Sequence, residues 1–201
     1  MLVVFTVFVP ENSGLERFNY LALREFNNLP VTFQRARGEA IPRLVESKGG
    51  YGWTGNDLFE DYLVSGKGKT LEREIFFPWP EPSQPKLCLL GPEENSLEYF
   101  EEKFCSRLEE LRLAISDKYQ NLVNRYLKSK GWNPQIFSFD GQVEKKIRLE
   151  EADLAIDIVY SGRTVRENRL VIYDTVFDNT GLILFYKKIY KTRNNLRGVI
   201  K

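Results

Sequence analysis

Short apolar runs alternate with helix-patterned stretches along nearly the whole sequence, and that alternation leaves few folds open. Residues 2–9, Leu-Val-Val-Phe-Thr-Val-Phe-Val, are apolar almost throughout, which suits a strand covered on both faces. Residues 10–13 break the run, and Leu15, Phe18, Leu21, Leu23 and Phe26 then fall on one face of a helix. The pattern recurs as a strand at 31–34, a short helix at 41–48 and a strand at 51–54, followed by a helix carrying Leu58, Phe59, Tyr62 and Leu63. Pro42 suits the first turn of the helix at 41–48. Further strands are expected at 86–90, 112–115, 135–139, 171–177 and 182–186, with helices at 96–108 and 120–130. Asp178-Asn179-Thr180-Gly181 would join the last two strands as a hairpin. Repeated strand-helix units predict an α/β fold of mostly parallel, doubly wound sheets, with ligands at the carboxyl ends of the strands.

Four prolines fall within residues 77–85, too many for a helix, so an extended crossing between two lobes is expected there. Lobe I would comprise residues 1–85 plus 179–201, and lobe II residues 86–178.

With 29 Lys and Arg against 28 Asp and Glu, the net charge is +1. That balance gives no bulk attraction to nucleic acid or to an anionic membrane, so neither is an expected partner and any anion site must be local. The apolar start is too short to span a bilayer and has no basic flank, and a cytoplasmic protein is expected. Cys88 and Cys105 lack metal-ligand spacing and read as reduced thiols. The sequence contains no histidine, which excludes histidine-based nucleophile systems, histidine general bases and histidine-ligated zinc. Chemistry here must run on carboxylates, lysines, hydroxyls, backbone amides or a hard cation.

The run 150–168 holds the densest set of such groups. Ala152, Ala155, Ile156 and Val159 fit the apolar face of a helix, with Asp153 and Asp157 four apart on a neighbouring face. Ser161, Gly162, Arg163 and Thr164 would then break that helix, and Thr164 would cap the next turn. Hydroxyls, a glycine, a guanidinium and exposed amides at a helix start suit a phosphate monoester. The same residues also describe an ordinary capped turn with solvated carboxylates. Tyr51, Trp53 and Trp79 could stack on a base, although aromatics beside glycine and proline more often serve packing. The basic residues after 187 read as a solvated terminus.

At this point the sequence resembles the ATP phosphoribosyltransferase family, over most of its length. The resemblance rests on Gly141-Gln142-Val143-Glu144, Ala152-Asp153, Asp157 and Ser161-Gly162-Arg163-Thr164. Upstream it adds Ile41-Pro42-Arg43-Leu44-Val45-Glu46 and Thr54-Gly55-Asn56-Asp57-Leu58, with Cys88-Leu89 and Ser116-Asp117-Lys118-Tyr119 between. The resemblance implies a two-lobed, periplasmic-binding-protein-like (type II) fold. It also implies transfer of phosphoribose from phosphoribosyl pyrophosphate to N1 of ATP, the first step of histidine biosynthesis. Ser161, Gly162, Arg163 and Thr164 would hold the 5-phosphate, while Asp153, Asp157 and Glu144 would be catalytic. Magnesium would be the cofactor, held through Asp153 or Asp157. Thr54, Gly55, Asp57 and Glu11 would border the cleft. The short chain resembles the family's short form, which implies an oligomer with a regulatory subunit related to histidyl-tRNA synthetase.

The family's basic turn after the first strand is replaced by Pro10-Glu11-Asn12-Ser13-Gly14-Leu15, and a usual glycine by Glu150. These departures suit a second reading, a two-lobed ligand-binding or regulatory paralogue without turnover. A third reading, the phosphoribosyl loop of the purine-salvage enzymes, needs adjacent acids on a strand directly before the loop, and here the acids are four apart.

Overall fold

The structure is a computed structural model and describes residues 4–27, 29–79 and 84–188. These divide into two compact units, one holding the described residues up to Trp79 and from Gly181 onward, the other those between. Most of the proline-rich segment's centre (80–83) and the basic tail beyond Lys188 lie outside the described residues.

Unit 1 is built on strands β1 (Phe5–Pro10), β2 (Val31–Ala36), β3 (Tyr51–Gly55), β4 (Leu71–Pro78) and β10 (Gly181–Lys187), in the order β2-β1-β3-β10-β4. Its helices are α1 (Ser13–Glu16), α2 (Asn19–Glu25), α3 (Ile41–Lys48) and α4 (Asn56–Val64). Strand β1 is apolar except at Thr6 because it is paired on both edges, with β2 and β3, and covered on both faces, leaving Val7 and Phe8 buried. One face holds Phe8, Ile41, Val45, Phe59, Leu71, Ile183 and Phe185. The Phe185 ring lies where a Cβ on Gly52 would be, so only glycine fits in the middle of β3. Tyr51 and Trp53 are packing residues, edge-on to Phe26 and Phe77, and Trp79 is edge-on to Phe18.

Unit 2 comprises β5 (Lys86–Pro92), β6 (Arg112–Ser116), β7 (Gln135–Phe139), β8 (Leu154–Val159) and β9 (Leu170–Phe177), in the order β7-β6-β8-β5-β9. Its helices are α5 (Leu97–Lys103), α6 (Gln120–Lys130), α7 (Lys145–Arg148) and α8 (Arg163–Glu167). On one face Cys88, Leu90, Ala114, Ala155 and Leu170 pack with Val143, Ile147 and Val165 from the region of α7 and α8. Burial pushes the Cys88 thiol up to about 11, so it is inert packing, while Cys105 is exposed and also free.

Each sheet is mixed. Strand β10 is antiparallel to both β3 and β4, and β5 is antiparallel to both β8 and β9. The remaining strands of each sheet therefore share one direction, and the strand that enters at the crossing runs against them. For the same reason β9 and β10 are not the expected hairpin: they belong to different sheets.

Other expectations also need correction. Residues 154–159 form β8, not a helix. The strand has neighbours on both edges and cover on both faces, which removes the alternation that marks a strand. Its apolar positions then match a helical spacing by coincidence. The first helix is broken into α1 and α2, and Leu23 is half exposed. Strand β4 and helix α7 are additional elements, and the acidic helix ends at Lys103.

Glu150 adopts a left-handed φ of 57°. That conformation favours glycine, and the chain is held in it by the Glu150 carbonyl, which accepts a 2.7 Å bond from Arg112 Nη1.

Candidate active site

In unit 2 the carboxyl end of β8 runs into residues 160–162 and then into α8, a strand-turn-helix arrangement. Gly162 occupies the position before the helix with a left-handed φ of 68°, and a Cβ there would meet Arg166 Nη1 at 3.1 Å. The helix start leaves the amides of Arg163, Thr164 and Val165 without carbonyl partners inside the helix. Ser161 Oγ accepts from the Arg163 amide at 3.4 Å, and Arg166 is the first residue to donate into the turn, to Gly162 O at 3.1 Å. Thr164 is therefore inside the helix and does not cap it; its carbonyl accepts from Asn168 Nδ2 at 2.8 Å.

These residues line a pocket of about 230 Å³ together with Gln142, Glu144 and Asp157. Alternation along β8 puts Asp157 on the same face as Ala155 and Val159, the face that carries α7 and α8. Glu144 stands just before α7. Burial, the main cause, pushes the Asp157 carboxyl up to about 6, and the neighbouring Glu144 carboxylate adds to this. The Ile158 amide, which donates to Asp157 Oδ1 at 2.8 Å, and the charge of Lys118 act the other way. The site thus keeps a carboxylate poised near neutral pH beside open amides and hydroxyls, a set suited to a sugar phosphate.

The named candidates do not all meet there. Glu144, Asp157, Ser161, Gly162, Arg163 and Thr164 line one pocket. Asp153 stands before the start of β8, at the opposite end of the strand from Asp157. Its carboxylate is forked onto Arg112, with Nη2 at 3.0 Å and Nε at 3.2 Å, and accepts from the Arg112 amide at 2.8 Å. It pins β8 to β6. Helical spacing had put the two aspartates on one side of the turn; on a strand, a separation of four residues places them roughly 13 Å apart. Arg163 Nε donates to Glu167 at 2.7 Å, four residues on, and the side chain is 80% exposed.

Thr54, Gly55, Asp57 and Glu11 belong to unit 1. Thr54 is buried and donates to the Gly38 carbonyl at 3.0 Å, Gly55 precedes α4 with the Asp57 carboxylate against it, and Asp57 is buried. Glu11 is exposed, its amide bonded to the Ala36 carbonyl at 3.0 Å. Gln142 also lines the pocket and escaped assignment as a site residue, although it lay within a segment that carried the resemblance.

A model of the ATP phosphoribosyltransferase family (HisG) matches residues 37–201. An ATP phosphoribosyltransferase of Thermococcus kodakarensis is 30% identical over 148 residues, 68% of this chain and 69% of that protein. One from Alkaliphilus metalliredigens is 30% identical over 89 residues, 44% of this chain and 43% of its own length. The chain thus spans less than half the length of some of the relatives it matches. Among solved structures, the ATP phosphoribosyl transferase (HisG:HisZ) complex from Thermotoga maritima has a TM-score of 0.76 at 21% identity, covering 97% of this chain and 93% of that one. The periplasmic aliphatic sulphonate binding protein SsuA from Escherichia coli has a TM-score of 0.60 at 14% identity, covering 98% and 69%. The fold is therefore that of two-lobed periplasmic-type binding proteins. With the family model spanning most of its residues, the chain belongs to the ATP phosphoribosyltransferase family.

Proposed function

We propose that this chain transfers the phosphoribosyl group of phosphoribosyl pyrophosphate to N1 of ATP and releases pyrophosphate, opening histidine biosynthesis in the cytoplasm. The observation that carries the reading is the pocket of unit 2. It joins an open helix start at Ser161 to Thr164 with the Glu144 and Asp157 carboxylates. The 5-phosphate would sit on the amides and hydroxyls of the turn, and Asp157 and Glu144 would face the ribose. As the anomeric carbon gains positive character, a carboxylate beside it lowers the barrier electrostatically, with no need for an imidazole.

The donor set fits magnesium that arrives with the substrate. That ion is commonly held by one or two carboxylates plus substrate phosphates, and among the described residues no cluster of three or more acidic or cysteine side chains is placed to hold a metal. Asp157 and Glu144 would contact the ion, which would neutralise phosphate charge; Asp153 is committed to Arg112. No helix among the described residues is long and apolar enough to cross a membrane. The likeness to the HisG:HisZ complex supports an oligomer with a regulatory subunit related to histidyl-tRNA synthetase.

Titration calorimetry should show phosphoribosyl pyrophosphate binding in the presence of magnesium, with Thr164→Ala weakening it about tenfold through loss of a charge-assisted hydrogen bond. Equal affinity in parent and variant would remove the turn from the site.

A further inference from the structure

Among the described residues, the turn after β1 offers Glu11 and no cation, and Arg163 is taken up by Glu167 at the surface. A substrate with phosphate at one end of its ribose and pyrophosphate at the other still needs a positive group at the pyrophosphate end. The strand order of unit 2 shows where one stands.

Strands β6 and β8 are parallel neighbours, with Ile115 level with Ile156. Continuing that register, Ser116 closes β6 level with Asp157, and Lys118 follows in the turn just beyond the strand end. On the other side of β8 lies β5, then β9. Helix α8 lies on that side, where it packs against β9. Across the strand ends the order is therefore Lys118, then Asp157, then the turn at 161–164.

Lys118 is partly buried, and no hydrogen bond or ion pair among the described residues occupies its ammonium group. A partly buried cation just beyond the carboxyl end of β6, next to the end of β8 that carries Asp157, is placed for a ligand anion.

We propose that Lys118 receives the pyrophosphoryl group of phosphoribosyl pyrophosphate, an inference that rests on the transfer reading above. With the 5-phosphate in the turn and the ribose over Asp157, the anomeric substituent extends away from α8, toward β6. During transfer the bond from the anomeric carbon to the pyrophosphate oxygen breaks and its electron pair leaves with pyrophosphate. The N1 lone pair of the adenine forms the new bond. Lys118 keeps its protons throughout and offsets the charge that accumulates on the leaving oxygen.

The test is titration calorimetry of parent, Lys118→Gln, Lys118→Arg and Thr164→Ala with phosphoribosyl pyrophosphate and, separately, ribose 5-phosphate, with melting curves for each variant. Lys118→Gln should bind phosphoribosyl pyrophosphate at least about tenfold more weakly while its affinity for ribose 5-phosphate stays within about twofold of the parent's. Lys118→Arg should retain most of the affinity, and Thr164→Ala should weaken both ligands. If Lys118→Gln binds phosphoribosyl pyrophosphate like the parent, or loses both ligands equally, the assignment is overturned. A parent that binds neither ligand would instead sink the transfer reading, and this inference with it.

Discussion

Asp157→Asn should lower kcat/KM for phosphoribosyl transfer by about 10²- to 10³-fold, the scale of removing a preorganised electrostatic group, and leave the ligand-free protein as stable as the parent or more so. The folded carboxyl titrates near 6, above the ordinary value of 3.8. A group raised in this way favours the folded state below its unfolded pKa, and that advantage is lost as pH rises through the folded value. At pH 8 the parent therefore carries a buried negative charge that asparagine does not. Full conversion of the rise would be about 3 kcal/mol; lost attraction to Lys118 offsets part of it, so a gain of about 1 kcal/mol is expected. Asparagine retains an oxygen to accept from the Ile158 amide. In metal-free buffer, the variant's melting temperature should exceed the parent's at pH 8, and the gap should narrow as pH falls below about 6 and close by about pH 4. A variant that melts well below the parent at pH 8 would make Asp157 a structural residue.

Asp153→Ala should behave in the opposite way. Arg112 would lose its fork and its backbone anchor, and the tie between the starts of β6 and β8 would go with them. The Asp153 side chain is 16% exposed and that of Arg112 39%, so screening reduces the loss, and about 2 kcal/mol is expected, or a melting temperature lower by roughly 4 to 8 °C. Phosphoribosyl pyrophosphate affinity, measured well below that temperature, should stay within about twofold. An undiminished melting temperature together with lost affinity would return Asp153 to the site.

The contrast between these aspartates shows what could be read from residue order and what could not. The turn at 161–164 was legible because its requirement is local: a glycine able to take φ of 68°, flanked by hydroxyls, next to a helix start. Their separation was not, because it depends on whether residues 154–159 are strand or helix. That choice is made by β6 and β5, which lie more than 35 residues away in the chain. Strand β4 was hidden for a related reason: it lies at the sheet edge, where the charged run Glu72, Arg73 and Glu74 interrupts its apolar pattern. The choice of cation likewise needed geometry. Arg163 sits in the turn and Lys118 lies some 45 residues upstream. The first pairs with Glu167 within α8, four residues on, whereas the place of the second beside the end of β8 follows from strand order.

Glu11 and Glu150 stand in different settings. Glu150 takes a left-handed turn that favours glycine, at a cost in backbone strain. Glu11 is exposed in unit 1, its amide bonded to the Ala36 carbonyl.

The most direct measurement is a spectroscopic assay of purified protein with ATP, phosphoribosyl pyrophosphate and magnesium, run with and without a candidate regulatory subunit, with pyrophosphate release followed in parallel. The expected result is stoichiometric formation of the N1-phosphoribosyl adduct and pyrophosphate, abolished to near background by Asp157→Asn and retained by Asp153→Ala. Folded protein that forms no adduct under either condition would contradict the account.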